Sequence, residues 1–180
     1  MPTVLSHAIF STSFASAVYT KPMPTRFWVL AALCTVIPDL DVIAFIFGVP
    51  YSSVWGHRGV THSLVFALAL GVVIALVFFG RLGMRERILL GLFFAVATVT
   101  HLALDSLTNV GLGVAAFAPF DSGRYFAPWR PIQVSPIGGA FFSAAGMAVL
   151  ASEALWVWVP AFALLAVGMV RRQGVGREAP

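Results

Sequence analysis

The sequence predicts an all-α fold: a polytopic transmembrane helical bundle of about four to five spanning or half-spanning helices, with a polar pocket near the extracytoplasmic side. Three observations predict it. The 180 residues are 59% hydrophobic with a mean hydropathy of +0.93, against roughly 45–50% apolar residues in a soluble domain. Only 10% of the residues are charged, and the 11 basic ones sit at the ends of apolar segments, where headgroup and orientation anchors belong. Ionisable residues inside those segments are few and recur at one depth, as set out below. The same composition excludes an ordinary soluble enzyme. The placement of the basic residues argues for the lipid bilayer as partner and against nucleic acid, despite a formal charge of +4. The single cysteine, Cys34, excludes an internal disulfide and any cysteine-based metal site.

Taken in order, Leu5–Tyr19 is a weaker apolar segment. Residues 1–20 carry no Lys or Arg, so it reads as retained rather than as a cleaved signal peptide. Phe27–Gly48, Leu64–Gly80, Ile88–Leu104 and Leu155–Val170 are strong apolar segments, the first interrupted by Pro38. Asn109–Pro136 is a loop, and the stretch 137–151, rich in Gly, Ala and Ser, reads as a half-buried or packing helix. Residues 1–180 thus form one membrane-embedded domain, with a core at about 4–137, C-terminal hydrophobic helices at 137–170 and a short basic tail at 171–180. Whether 137–170 crosses once or twice stays open. Its length is too great for one upright span and short for two.

Basic residues cluster at Lys21 with Arg26, at Arg81–Arg85–Arg87, and at Arg171–Arg172–Arg177. The positive-inside rule places all three clusters in the cytoplasm. Counted from these anchors, His7 lies 14 residues before Lys21, Asp39 13 after Arg26, His62 19 before Arg81 and His101 14 after Arg87. At 1.5 Å per residue they lie about 20–28 Å from the cytoplasmic surface, in the outer part of a ~30 Å core. Four segments therefore deliver polar groups to one depth, which predicts a pocket open to the extracytoplasmic side.

Three motifs carry the chemistry. His101-Leu-Ala-Leu-Asp105 puts an imidazole and a carboxylate on one helix face, where they either bind one metal ion or hydrogen-bond each other. Trp55-Gly-His57-Arg58-Gly-Val-Thr61-His62-Ser63 brings a loop histidine and one at a helix start close enough to converge. Pro38-Asp39-Leu40-Asp41 breaks an apolar span and leaves two carboxylates that a divalent cation would neutralise. The metal candidates are therefore His7, Asp39, Asp41, His57, His62, His101 and Asp105. Nitrogen and carboxylate donors without cysteine suit zinc, with Mn or Fe as alternatives. Seven candidates exceed the needs of one tetrahedral ion, so the set has room for two or more ions, and phosphoester hydrolysis is the usual chemistry of such sites. Asp41 and Arg58 are the candidate catalytic residues, the Asp acting as base or holding the nucleophile. Arg58 and Arg124 are candidate phosphate clamps, because a guanidinium offers phosphate a planar fork.

His7, Pro38-Asp39-Leu40-Asp41, the His57–Ser63 block, His101-Leu-Ala-Leu-Asp105-Ser-Leu-Thr108 and Ala118-Pro119-Phe120-Asp121-Ser122-Gly-Arg124 occur in the order seen in the YdjM-type family of inner-membrane metal-dependent hydrolases. The chain resembles that family over about residues 4–137 and departs from it at Asp121, where a serine is expected, and in its C-terminal segment, which matches nothing specific. The resemblance implies a bacterial or archaeal multi-pass inner-membrane protein with metal-binding His and Asp residues and hydrolase activity. Two functions follow as expectations: a metal-dependent hydrolase of a lipid or lipid-linked phosphoester, or a non-catalytic metal-binding or transport protein. Transport needs polar groups at several depths. The cytoplasmic halves of Leu64–Gly80 and Ile88–Ala97 contain no ionisable residue, which favours a one-sided site.

Overall fold

The structure is a computed structural model describing residues 1–136 and 138–177, with side chains described as far as residue 174. Ile137, at the start of the C-terminal apolar segment, and residues 178–180 of the tail lie outside the described residues, as does the Arg177 side chain. The described residues are helical, with two isolated β-bridges and no strand. In chain order the α-helices are α1 (Val4–Val18), α2 (Thr25–Leu33), α3 (Leu64–Phe79), α4 (Met84–Ser106), α5 (Ala144–Glu153) and α6 (Val159–Arg177). Short 3-10 helices cover Ile37–Phe47 and Val60–His62.

Length decides which helices can cross a bilayer. α4 has 23 residues, and α5 and α6 join through a π-helical turn at Ala154–Trp158 into one apolar helix, Ala144–Gly174, of 31 residues. At 1.5 Å per residue these reach about 34 and 46 Å, enough for a ~30 Å core. The C-terminal region therefore forms a single helix long enough for one crossing, and 144–151 is part of it. α2 and the 3-10 helix at Ile37–Phe47 make a third candidate span, bent by 44° where Pro38 restarts the chain. α1 and α3, with 15 and 16 residues, are shorter than the hydrocarbon core. The helices thus provide two or three candidate spans and two shorter apolar helices.

The outer face of α3 presents Leu68, Val72, Val73, Leu76 and Val77 outward, an apolar surface that suits lipid. Its inner face meets α4 closely: a Cβ on Gly71 would stand 2.3 Å from the Gly91 carbonyl oxygen, so only glycine permits this approach. The α1–α6 contact has the same character, since a Cβ on Gly168 would stand 2.2 Å from the Ser16 carbonyl oxygen. Phe27, Leu30, Ile74, Phe79, Phe93 and Phe94 form the main apolar core. α1 crosses α2 with a buried hydrogen bond from the Ser11 hydroxyl to the Ala31 carbonyl at 2.5 Å.

The three basic clusters share one end of the bundle. The Arg26 guanidinium lies 5.0 Å from the Phe79 ring at the end of α3, beside the Arg81–Arg87 turn. Arg171 donates to the Ala17 carbonyl and Arg172 to Ser16 Oγ at 2.7 Å, bringing the tail to the C-terminal end of α1, next to Lys21. Cations there also complement the negative end of the helix dipole.

Candidate metal centre

Four elements meet at the opposite end of the bundle. α4 carries His101 and Asp105 one turn apart, both fully buried. The turn at Val60–His62 sets His62 against them, just before Ser63 caps α3 by accepting from Phe66 N–H at 3.1 Å. The 3-10 helix after Pro38 brings in Asp39 and Asp41. α1 delivers His7, whose ring stacks on His101 with centroids 3.9 Å apart.

One ligand atom each from Asp39, His62, His101 and Asp105 lies within 4.8 Å of the others, and all four residues are buried. His62 Nε2 and His101 Nε2 are 3.0 Å apart, Asp39 Oδ1 is 3.5 Å from each, and Asp105 Oδ2 is 3.4 Å from His62 Nε2. A tetrahedral site with bonds of 2.0–2.1 Å has ligand-to-ligand edges of about 3.3–3.4 Å, so these separations fit one small divalent ion. Both oxygens of Asp39 and of Asp105 are buried with no hydrogen-bond partner. His7 stands outside this set. Its Nε2 is 3.5 Å from Asp105 Oδ1, and neither ring nitrogen has a hydrogen-bond partner.

Asp41, His57 and His62 form a second group that could hold an ion. Here the carboxylate is well supplied with donors. Asp41 Oδ1 lies 2.6 Å from His57 Nδ1, and Oδ2 accepts from Thr61 Oγ1 at 2.6 Å and from the Arg58 backbone N–H at 3.0 Å. His62 Nδ1 lies 3.2 Å from the same Oδ2.

Neither arginine presents the open fork expected of a phosphate clamp. Arg58 is buried, with Nε 3.0 Å from Asp105 Oδ2 in an ion pair. Its NH1 donates to the Leu112 carbonyl at 2.8 Å and NH2 to Thr108 Oγ1 at 2.9 Å. Its φ of 61° lies in the left-handed region, uncommon outside glycine, and lets one residue offer its backbone N–H to Asp41 while its side chain reaches Asp105. Arg124 fastens the 50–59 loop, donating to the carbonyls of His57 (3.1 Å), Tyr51 (3.2 Å) and Ser53 (2.8 Å). Asp121, at the departure from the family pattern, is exposed. The Tyr125 hydroxyl and the Gly123 N–H hold its carboxyl below the usual carboxylate range.

The loop after α4 is more ordered than its composition suggests. It bridges Thr108 to Ile132 and Val114 to Tyr125, and it binds the 58–64 segment through Ala115 N–H to the Arg58 carbonyl and Leu64 N–H to the Ala116 carbonyl. With Arg124 it closes over the centre, so the cluster is enclosed where an open polar pocket is expected from sequence. His62, His101 and Asp105 are 0% exposed, and Asp39 is 4% exposed.

Sequence reasoning does not single out Thr61, Thr108 or Glu153. Thr61 and Thr108 are hydroxyls one and three residues from candidate ligands, which is the signal that finds them. Glu153 is a lone carboxylate in an apolar segment, the kind of residue that signals a built environment in a membrane. It is buried, accepts from Thr3 N–H (2.5 Å), Thr3 Oγ1 (2.6 Å) and Ser6 Oγ (2.6 Å), and so ties the C-terminal helix to the turn of α1 that precedes His7.

The sequence model of the YdjM inner membrane protein family matches residues 1–175. The chain belongs to that family. Inner membrane protein YbcI of Escherichia coli (strain K12) is 38% identical over 175 residues, covering 96% of this chain and 100% of its own length. No solved structure matches the chain. The match extends through α5 and most of α6, beyond the 4–137 region in which the motifs lie, so this member's C-terminal helix belongs to the shared architecture.

Proposed function

We propose that this protein is a membrane-bound, metal-dependent hydrolase of a lipid or lipid-linked phosphoester, with its centre toward the extracytoplasmic face of the inner membrane. One observation carries the reading: two buried carboxylates, Asp39 and Asp105, whose oxygens take no hydrogen bond and of which only Asp105 meets a cation, Arg58, converge on the Nε2 atoms of His62 and His101. Uncompensated buried charge costs several kcal/mol, and a divalent cation is the partner that removes that cost. Two imidazoles and two carboxylates suit zinc, with Mn and Fe as alternatives. Four protein donors fill a tetrahedral ion, so catalysis would need a fifth position or the release of one carboxylate, and there the ion would polarise a phosphoryl oxygen and lower the pKa of water. The chain's own residues supply the rest: His62 and His101 are held facing inward, and His7 is placed to move a proton beside Asp105.

An apolar cavity of about 460 Å³, bounded by Leu5, Val42, Pro136, Phe141 and Leu150, supports a lipid-like substrate. Val42 directly follows Asp41 and Leu5 lies two residues before His7, so the cavity adjoins the elements that build the centre. Its volume is in the range of small-molecule sites. Enclosure of the centre favours the second reading, a non-catalytic metal-binding protein. Metal analysis of the purified protein, with a phosphoester panel that includes membrane lipids, separates the two. Metal with lipid-phosphoester turnover supports the hydrolase, and metal without turnover of any phosphoester, peptide or acyl ester supports the second reading.

Orientation rests on the basic residues at the other end of the bundle. A cysteine at exposed Ser52 is expected to react with an impermeant thiol reagent applied outside the cell, and one at exposed Gly83 to be protected. Cys34 is buried and contributes no background. Labelling of Gly83→Cys alone would reverse the orientation.

A further inference from the structure

We infer that the cluster is a one-ion centre, and that Asp41 and His57, although spaced like ligands, are positioning residues that aim His62 at the ion. The inference rests on the metal-centre reading above and deepens it, because it decides how many ions the seven polar residues hold and which of them touch metal. The two groups share His62 but differ in hydrogen bonding. The oxygens of Asp39 and Asp105, with His101 Nδ1 and both nitrogens of His7, are buried without a hydrogen-bond partner, Asp105 meeting Arg58 Nε only as an ion pair, whereas both oxygens of Asp41 and His57 Nδ1 are hydrogen-bonded. Asp41 has three donors within hydrogen-bond reach, from His57, Arg58 and Thr61, before His62 is counted.

The direction of each proton follows. Thr61 gives its hydroxyl proton to Asp41 Oδ2 at 2.6 Å, so its oxygen is left as an acceptor facing His62 Nδ1 at 3.1 Å. His62 Nδ1 therefore carries a hydrogen, flanked by Asp41 Oδ2 at 3.2 Å and Thr61 Oγ1. In a neutral imidazole this leaves the lone pair on Nε2, the atom that faces His101, Asp39 and Asp105. A carboxylate behind a ligating histidine fixes ring and tautomer in this way. For Asp41, His57 and His62 to hold a second ion, His57 Nδ1 and His62 Nδ1 would both have to lose their hydrogens. His62 would then be ligated at both nitrogens, and Asp41 Oδ1 would exchange its His57 donor for the ion.

Charge gives an independent count. Within the cluster Asp39, Asp41 and Asp105 oppose one buried guanidinium, Arg58, leaving two negative charges with the histidines neutral. One divalent cation balances them, and a second would leave the buried cluster positive.

The test is metal stoichiometry and affinity, measured on full-length protein in detergent with Zn²⁺ as the probe. Wild type is expected to retain one ion per chain, and His57→Asn also one. Asp41→Asn is expected to keep a capacity of one ion with affinity lowered about 10–100-fold, the usual effect of losing a partner behind a ligand. Asp105→Asn is expected to lose the ion altogether. Thr61→Val, a milder change in the same shell, gives the same reading if Asp41→Asn does not fold: one ion, held more weakly. Two ions in wild type, with one in His57→Asn, would overturn the inference while leaving the metal-centre reading intact. So would an Asp41→Asn protein as empty as Asp105→Asn. No ion in wild type at saturating Zn²⁺ would overturn the metal-centre reading itself.

Discussion

His101→Ala is expected to empty the centre and to abolish the dependence of thermal stability on metal. His101 is wholly buried on α4, its Nε2 is 3.0 Å from that of His62 and 3.5 Å from Asp39, and its truncation removes one of two nitrogen donors. An ion bound only by the folded state stabilises it by mass action, about 2.7 kcal/mol when free metal is at 100 times Kd. For a chain of this size that corresponds to roughly 5–11 °C in melting temperature. Wild type is therefore expected to melt lower by that amount in chelator, and His101→Ala to melt at the same temperature with or without chelator. The comparison within each protein matters, because the deleted ring also stacks on His7 and leaves a void that lowers stability whatever the metal does. Trp156→Ala, which removes the edge-on contact with Trp129 away from the centre, should leave metal content unchanged. Equal metal in wild type and His101→Ala would remove His101 from the ligand set.

That the polar residues gather at one level is legible in the sequence because it depends on helix rise and on the basic anchors alone. The structure brings His7, Asp39, His62 and His101 together at one end and gathers the three basic clusters at the other, while Arg58 and Arg124 stand at the centre itself. The break at Pro38 is also legible, since proline removes a backbone donor wherever it falls. The division of labour between Asp39 and Asp41 is not. On a 3-10 helix of three residues per turn, positions two apart point about 240° apart, so the two carboxylates face different partners. A sequence shows neither the 3-10 geometry nor which neighbours each face will meet. The same holds for Arg58, whose type suggests a phosphate fork while its left-handed backbone turns the guanidinium inward. The stretch Asn109–Pro136 reads simply as a loop because its order comes from long-range pairings such as Asn109 with Ile132 and Arg124 with Ser53. Span count is limited for another reason. Hydropathy measures apolar length, and α1 and α3 are apolar but short.

Arg58→Met should cause a large loss of stability, greatest when the centre is empty. Arg58 is the one buried cation within the carboxylate cluster among the described residues, and its head group is divided between Asp105, Thr108 and the Leu112 carbonyl. Methionine fills part of the volume but leaves Asp105 unopposed and two acceptors without donors. Removing one partner of a buried ion pair typically costs about 3–5 kcal/mol. In a chain of this size that is roughly 6–20 °C of melting temperature. A bound divalent cation takes over part of the neutralisation of Asp105, so the gap between loaded and chelated melting temperatures should be wider in Arg58→Met than in wild type. Arg58→Lys keeps the charge but offers a single ammonium in place of a planar fork, so it cannot serve three acceptors set around a guanidinium, and an intermediate loss is expected. A phosphate clamp predicts another pattern: unchanged melting in chelator for both variants, with turnover alone reduced. If Arg58→Met in chelator melts within about 1 °C of wild type, far less than a lost buried ion pair requires, the ion pair with Asp105 does not support the fold and the clamp assignment regains its case.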